Sequence, residues 1–305
     1  MKCLVTGGAG FIGSHLVDRL VLEGHEVQVV DDLSHGKRAA VNPSAKLVKM
    51  DIRSPRIGRK VRNFRPQVIF HLAAQMDVRK SVDDPLFDAH VNVIGTLNIM
   101  QAAVESGCPR LLFASSGGAV YGEQETFPAT ESHPTRPMSP YGITKRCGEL
   151  YADYYKALGL HCASMRLGNV YGPRQDPHGE AGVVAIFTQL MLEGKTPTIN
   201  GTGRQTRDFV YVDDVVDAFL SAFINERSGE YNVGTGIESD VNRLYELIAK
   251  HVGFSDNPIH GPAKDGEQLR SVISAKKFNG ETDWEPRTSL DEGIRETVAW
   301  FRERR

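Results

Sequence analysis

Thr6-Gly7-Gly8-Ala9-Gly10-Phe11-Ile12-Gly13-Ser14-His15 follows directly on the apolar run 1–5, and its reading decides the fold. Glycines at 7, 10 and 13 let a backbone leave a strand, turn tightly and open a helix whose first N–H groups face an anion. The flanks agree. Residues 2–5 predict a buried strand, and Ile12, Leu16, Leu20 and Val21 stand at helical spacing over 11–23, with Gly24 closing the helix. A second strand, 27–30, ends at Asp31-Asp32. A carboxylate roughly 20 residues beyond such glycines accepts the hydroxyls of an adenosine ribose and repels a 2′-phosphate. The segment therefore predicts a pyrophosphate seat for NAD rather than NADP, with Lys37 and Arg38 nearby pulling the other way.

Strand and helix patterns alternate onward from there: strands at 47–50, 68–72, 110–114 and 161–166, helices at 86–106 and 141–158. That alternation predicts an α/β fold, a Rossmann-type doubly wound parallel sheet. Ligands of such sheets lie beyond the carboxyl ends of the strands, where Asp51-Ile52, Ala73-Ala74 and Ser115-Ser116 fall. Beyond Leu167 glycine and proline become frequent and the regular segments are expected to shorten, which predicts a smaller α/β lobe capping the sheet. The expected division is 1–167 as the dinucleotide domain, with about 208–232 packing back on it, and 168–207 plus 233–305 as the second lobe.

A chain of 305 residues can bury a large core or two joined ones. Acids and bases are interspersed at a formal net charge of −2, so no nucleic-acid surface or polybasic membrane patch is indicated. Cys3, Cys108, Cys147 and Cys162 have no CxxC spacing and read as reduced thiols of a cytoplasmic protein, without a metal site. No apolar stretch approaches bilayer-spanning length.

Tyr141 and Lys145 stand four apart on one predicted helix and project from one face. An ammonium beside a phenol stabilises phenolate and is expected to lower the tyrosine pKa toward neutrality, with Ser115-Ser116 as hydroxyl partners. His71, His90 and His178 lack metal-ligand company and read as structural. Asp213-Asp214 reads as a helix cap.

Taken together, TGGAGFIGSH (6–15), DDLSHG (31–36), HLAAQ (71–75), NVIGT (92–96), SSGGAVYG (115–122), YGITK (141–145), GNVYGPRQ (168–175), RDFVYVDDVVDA (207–218) and YNVGTG (231–236) resemble the UDP-glucose 4-epimerase (UDP-galactose 4-epimerase) family of extended short-chain dehydrogenases/reductases, nearly end to end. The resemblance implies tightly held NAD, bound by Gly7, Gly10, Phe11, Ile12, Gly13, Asp31, Asp32, Ser34, Asp51, Ile52, Leu72, Ala73, Ala74, Gln75, Asn92, Ser115, Tyr141 and Lys145. It implies a UDP-sugar held by Ser116, Gly117, Tyr141, Asn169, Val183, Asn200, Arg207, Lys264 and Ser271. Tyr141 would take the 4-hydroxyl proton while hydride leaves C4, and the 4-keto sugar would turn over before re-reduction. Lys145 would tune the phenol, and a homodimer would form through helices 86–106 and 141–158.

Three positions depart from the family pattern. Gly117 stands where bacterial and animal members carry a serine in SSSATVYG, so the hydroxyl role passes to Ser116, as in the STGGAIYG variants, with Ser115 as the alternative. Asn200 replaces a phenylalanine beside the uracil, and Lys264 replaces an arginine at the diphosphate. Ser271 resembles a gate beside the sugar N-acetyl group, where a small residue would admit UDP-GlcNAc and UDP-GalNAc. Gly117-Gly118-Ala119 lacks the added acid that related dehydratases use to eliminate water. UDP-glucose/UDP-galactose is the expected pair, with UDP-N-acetylhexosamines or UDP-glucuronate as alternatives within the family, and a non-catalytic NAD-binding regulator as a reading of another class.

Overall fold

The computed structural model describes residues 1–178, 182–263, 266 and 268–304. Six strands lie where the apolar runs predict them: β1 (Lys2–Thr6), β2 (Glu26–Asp31), β3 (Lys46–Lys49), β4 (Val68–His71), β5 (Arg110–Ser116) and β6 (His161–Leu167). With the Gly229–Val233 strand they form one sheet, ordered β3-β2-β1-β4-β5-β6 and then Gly229–Val233, every neighbour parallel. Side chains alternate between two buried faces. Cys3 and Val5 of β1 pack with Leu16, Val17 and Leu20 of the first helix, Phe11–Leu22, and with Phe219 and Phe223. Leu4 faces the other way, among Ile69, Ile99, Met100 and Phe113. Burial on both faces is why these strands read as continuous apolar runs. Strand order reverses between β1 and β4, which opens a crevice at their carboxyl ends.

The helix expected over 86–106 contains a defect. Pro85–Ala89 runs into a π turn, His90–Ile94, and on into Gly95–Glu105. Such turns widen the helix by one residue and are frequent near functional sites. Here the turn carries Asn92, whose side chain is buried and clamps Gln75, taking its N–H on Oδ1 at 2.8 Å and donating to its carbonyl at 2.9 Å.

Beyond Leu167 the strands do shorten, but the helices do not. Asn169–Tyr171, Thr206–Tyr211, Glu238–Asp240 and Arg270–Ser271 make a small sheet, and Thr198–Asn200 pairs with Ile259–Gly261. Helices Val183–Leu192, Val241–Val252 and Leu290–Glu303 cover it through Phe187, Leu244, Ile248, Ile294 and Val298, because each carries an apolar stripe that Tyr171, Phe209 and Tyr211 can meet. The Val212–Ile224 helix instead presents Val215, Val216, Phe219 and Phe223 to the large sheet. Asp213 and Asp214 lie in its first turn but do not cap it. The cap residue is Tyr211, while Asp213 faces the His15 ring at 3.4 Å and the buried Asp214 accepts the N–H groups of Arg287 and Thr288. Both carboxylates lie past the cap position and face other partners instead of the first N–H groups.

One buried ion pair joins these parts. Arg166 on β6 and Glu149 on the Pro140–Lys156 helix are almost fully buried and meet in a two-pronged contact, Nε to Oε1 at 2.9 Å and Nη2 to Oε2 at 2.8 Å. Arg146 adds a third bond to the same carboxylate at 2.7 Å. Burial alone would raise the Glu149 pKa, but these contacts more than offset it and hold the carboxyl below its usual range. Breaking such a pair from one side strands a charge, at about 3–5 kcal/mol. Arg166→Met is expected to cost that much in urea unfolding, and Arg166→Met combined with Glu149→Leu to recover most of it.

Candidate active site

A cleft of about 1950 Å³ opens over the carboxyl ends of β1, β2, β4, β5 and β6. Its floor is the glycine turn. Gly7 has a left-handed backbone (φ +71°), and a Cβ there would stand 2.6 Å from the Ala73 nitrogen; one on Gly13 would stand 2.2 Å from the Gly7 carbonyl oxygen. Gly10 differs. A Cβ on it would meet only the Gly7 oxygen, at 3.3 Å, and would otherwise fill the cleft. Gly10 is also the cap residue of the Phe11–Leu22 helix, and no side chain caps that N-terminus. Uncapped N–H groups facing a cradle that one methyl would fill suit a pyrophosphate.

Asp31 does more than border this floor. Its Oδ2 accepts the Ala9 N–H at 2.9 Å and its Oδ1 the Leu33 N–H at 2.8 Å, so it braces the glycine turn and still has lone pairs for a ribose. Burial raises its pKa, and the two N–H groups work against that rise. Asp32 accepts both the N–H and the hydroxyl of Ser34, at 2.8 and 2.6 Å. Asp51 is gripped by Arg53 at 2.6 to 3.0 Å, which lowers its pKa.

The Pro140–Lys156 helix starts at Ser139, whose hydroxyl accepts the Gly142 N–H, with Pro140 in the first turn. That start sets Tyr141 and Lys145 against the end of β5. Lys145 is buried; its Nζ donates to the Ala114 carbonyl at 2.7 Å and lies 5.0 Å from the Phe113 ring centre. The Ser116 hydroxyl faces the Tyr141 phenol and eases its ionisation. The Ser115 hydroxyl is committed elsewhere, donating to Glu149 at 2.6 Å. At Gly117 a Cβ would stand 2.7 Å from Ile273 Cδ1 and 3.2 Å from the Arg166 carbonyl oxygen, so a side chain there would displace Ile273.

The expectation that Lys145 makes the phenol acidic does not hold for the protein groups alone. Burial, only partly relieved by the Ser116 hydroxyl and reinforced by the Asp88 charge, pushes Tyr141 up to about 12. Burial brings Lys145 down to about 8, against the upward pull of Asp88 and Glu149. The ammonium donates to the Ala114 carbonyl and lies 5.7 Å from the phenol ring centre.

Of the residues expected to bind, Gly7, Gly10, Phe11, Ile12, Gly13, Asp31, Asp32, Ser34, Asp51, Ile52, Leu72, Ala73, Ala74, Gln75, Ser115, Ser116, Tyr141, Lys145, Asn169 and Arg207 all line this one cleft. The dinucleotide set and the catalytic set thus meet on a single wall.

A family model described as "NAD dependent epimerase/dehydratase family" matches residues 3–234. The chain belongs to that family. It is 46% identical to a UDP-glucose 4-epimerase of Mycolicibacterium smegmatis, over 99% of each chain. A Thermotoga maritima UDP-glucose 4-epimerase solved with UDP-glucose has the same fold at a TM-score of 0.97 and 43% identity, covering 100% of this chain and 99% of that one. A Thermus thermophilus UDP-glucose 4-epimerase solved with NAD has a TM-score of 0.94 and 44% identity, with 99% of each chain covered.

Other expected family positions lie off the cleft wall. Asn92 sits behind it, holding Gln75. Val183 opens the Val183–Leu192 helix and packs toward that lobe's core, and Asn200 ends a short strand where its carbonyl accepts from Gln205. Ser271 is buried in the Arg270–Ser271 strand, beside Val272 whose N–H goes to Gln124. Lys264 lies outside the described residues. Among the described residues no group of His, Cys, Asp or Glu could hold a metal ion. His71 is buried between Thr6 and Thr96 and pushed down to about 3, a neutral ring in the sheet. Two acids were missed: Glu149, eight residues after Tyr141 on the same helical face, and Asp88, one turn before Asn92. Reading the stripes 141-145-149 and 88-92 at helical spacing would have found both.

Lys145 has a testable cost. Its folded pKa of about 8 lies below the ordinary 10.5, so the buried charge destabilises the protein most below pH 8, and stability is regained as pH rises toward 10.5. Lys145→Met is expected to gain stability relative to the natural chain at pH 7, with the difference narrowing between pH 8 and 10.5 in urea unfolding.

Proposed function

We propose that this family member is a 4-epimerase of UDP-glucose and UDP-galactose working with NAD. The observation that carries it is the Ser116–Tyr141 hydroxyl pair, backed by the buried Lys145 and set where the dinucleotide residues meet Asn169 and Arg207. Gly10 and the first helix would hold the pyrophosphate, Asp31 and Asp32 the adenosine ribose, and Tyr141 and Lys145 the nicotinamide ribose. When bound, the oxidised nicotinamide supplies a reversible hydride acceptor and a positive charge near the phenol. Tyr141 removes the 4-hydroxyl proton as C4 becomes a ketone and returns it when C4 is reduced on the opposite face. Ser116 holds the reacting oxygen, since Ser115 already serves Glu149. The Gly117–Val120 turn brings no carboxylate, which favours oxidation and re-reduction over elimination of water. Ser271, buried away from the cleft wall, lends no support to N-acetyl sugars as the preferred pair.

In the same reading, residues 1–167 with 208–232 hold the dinucleotide, and 168–207 with 233–305 the UDP-sugar. The protein acts in the cytoplasm as a homodimer. No helix among the described residues is long and apolar enough to cross a membrane, and the four cysteines are free. Ile143, Leu150 and Tyr154 make an exposed stripe on the Pro140–Lys156 helix, with Leu86 and Ile94 exposed on the neighbouring helical run.

Tyr141→Phe is expected to lower C4 inversion about 10²–10⁴-fold while the purified protein still carries dinucleotide, read by product analysis and by mass spectrometry after denaturation. Retained turnover would discard the proposal. For the dimer, Ile143→Arg with Leu150→Arg is expected to give monomers in sedimentation velocity.

A further inference from the structure

Behind the catalytic wall lies a carboxylate to which the reaction gives no role. Asp88 is fully buried, and its three side-chain hydrogen bonds come from neutral donors on three different segments. Thr144 Oγ1, on the catalytic helix, donates at 2.7 Å; Gln75 Nε2, on the loop after β4, at 2.8 Å; Asn92 Nδ2, in the π turn, at 3.0 Å. Among the described residues no lysine or arginine pairs with it. Glu149, the other buried acid near this wall, is in contrast neutralised by Arg166 and Arg146. A buried charge held by neutral donors is weakly screened, so its field reaches the ionisable groups around it. It is a costly arrangement to keep for packing alone.

We propose that Asp88 is a positioning residue whose negative charge sets the pH window in which the Tyr141–Lys145 pair works. The inference rests on the reading of those two residues as the proton-handling pair. Lys145 is faced by Tyr141 and Glu149 on its own helix, by the Ala114 carbonyl and the Phe113 ring on β5, by His71 on β4 and by Asp88. Tyr141 is faced by Ser116 and Asp88. Burial keeps His71 neutral at working pH, and Glu149 is shared with its arginines, so Asp88 exerts the larger of the two acidic pulls on the ammonium. Asp88 acts on both members in one sense: it opposes loss of the phenol proton and loss of the ammonium proton alike.

Asp88→Asn preserves shape and removes the charge. The two ionisations bound the active window as a coupled pair, so the proposal requires both limbs of the pH profile to slide to lower pH together, by roughly one unit. A second readout is the ultraviolet tyrosinate band that Tyr141→Phe abolishes, whose titration shifts the same way. Asp88→Glu, which keeps the charge, returns the window to its original place even where the rate drops. Thr144→Val, which removes a hydrogen bond but no charge, lowers the melting temperature and leaves the window in place. An unmoved window in Asp88→Asn, an equal shift in Thr144→Val, or failure of Asp88→Asn to fold overturns the assignment. Full activity in Tyr141→Phe would instead remove the reading beneath it.

Discussion

An ammonium held out of water on one backbone carbonyl is the constraint around which the functional end of this fold is arranged. Lys145 reaches Ala114 only because the Pro140–Lys156 helix lies close against β5, and that closeness is secured by bonds on either side of the lysine. Immediately before it, Thr144 is tied to Asp88; one turn after it, Glu149 is tied to Arg166, Arg146 and Ser115. Every one of these bonds joins a side chain of the helix to a different strand, loop or helix, or to its own next turn. The result is a rigid frame that keeps a phenol and an ammonium together despite the cost of burying both.

The same frame explains a division of labour between neighbouring serines. Ser115 turns toward Glu149 on the Pro140–Lys156 helix and Ser116 toward Tyr141, as successive residues of a strand point to opposite faces. The glycine that follows them is crowded by Ile273 from the far lobe, so packing between the two parts of the chain, rather than chemistry alone, decides which residue can carry the hydroxyl.

The parallel sheet and the glycine turn were legible because they rest on local regularities: apolar runs of strand length and glycines at fixed spacing. The positions that failed rest on non-local geometry. Asp214 sits where a cap is expected but answers to Arg287 and Thr288, more than 70 residues away in the chain. The π turn at His90–Ile94 has no local composition signal, since its register follows from the Asn92–Gln75 clamp. The acidity of Tyr141 was misjudged because spacing on a helix shows that two side chains share a face, not that their polar atoms touch.

Asp31 couples two properties that are usually treated as separable. Its carboxylate faces the cleft and at the same time ties down Ala9 and Leu33, so in the proposed reading dinucleotide preference and the shape of the phosphate floor share one side chain. Evolution cannot retune one without disturbing the other. A lineage switching to the phosphorylated dinucleotide would have to reinvent the brace for Ala9 before it could surrender the charge, which makes the choice of coenzyme in this chain historically sticky.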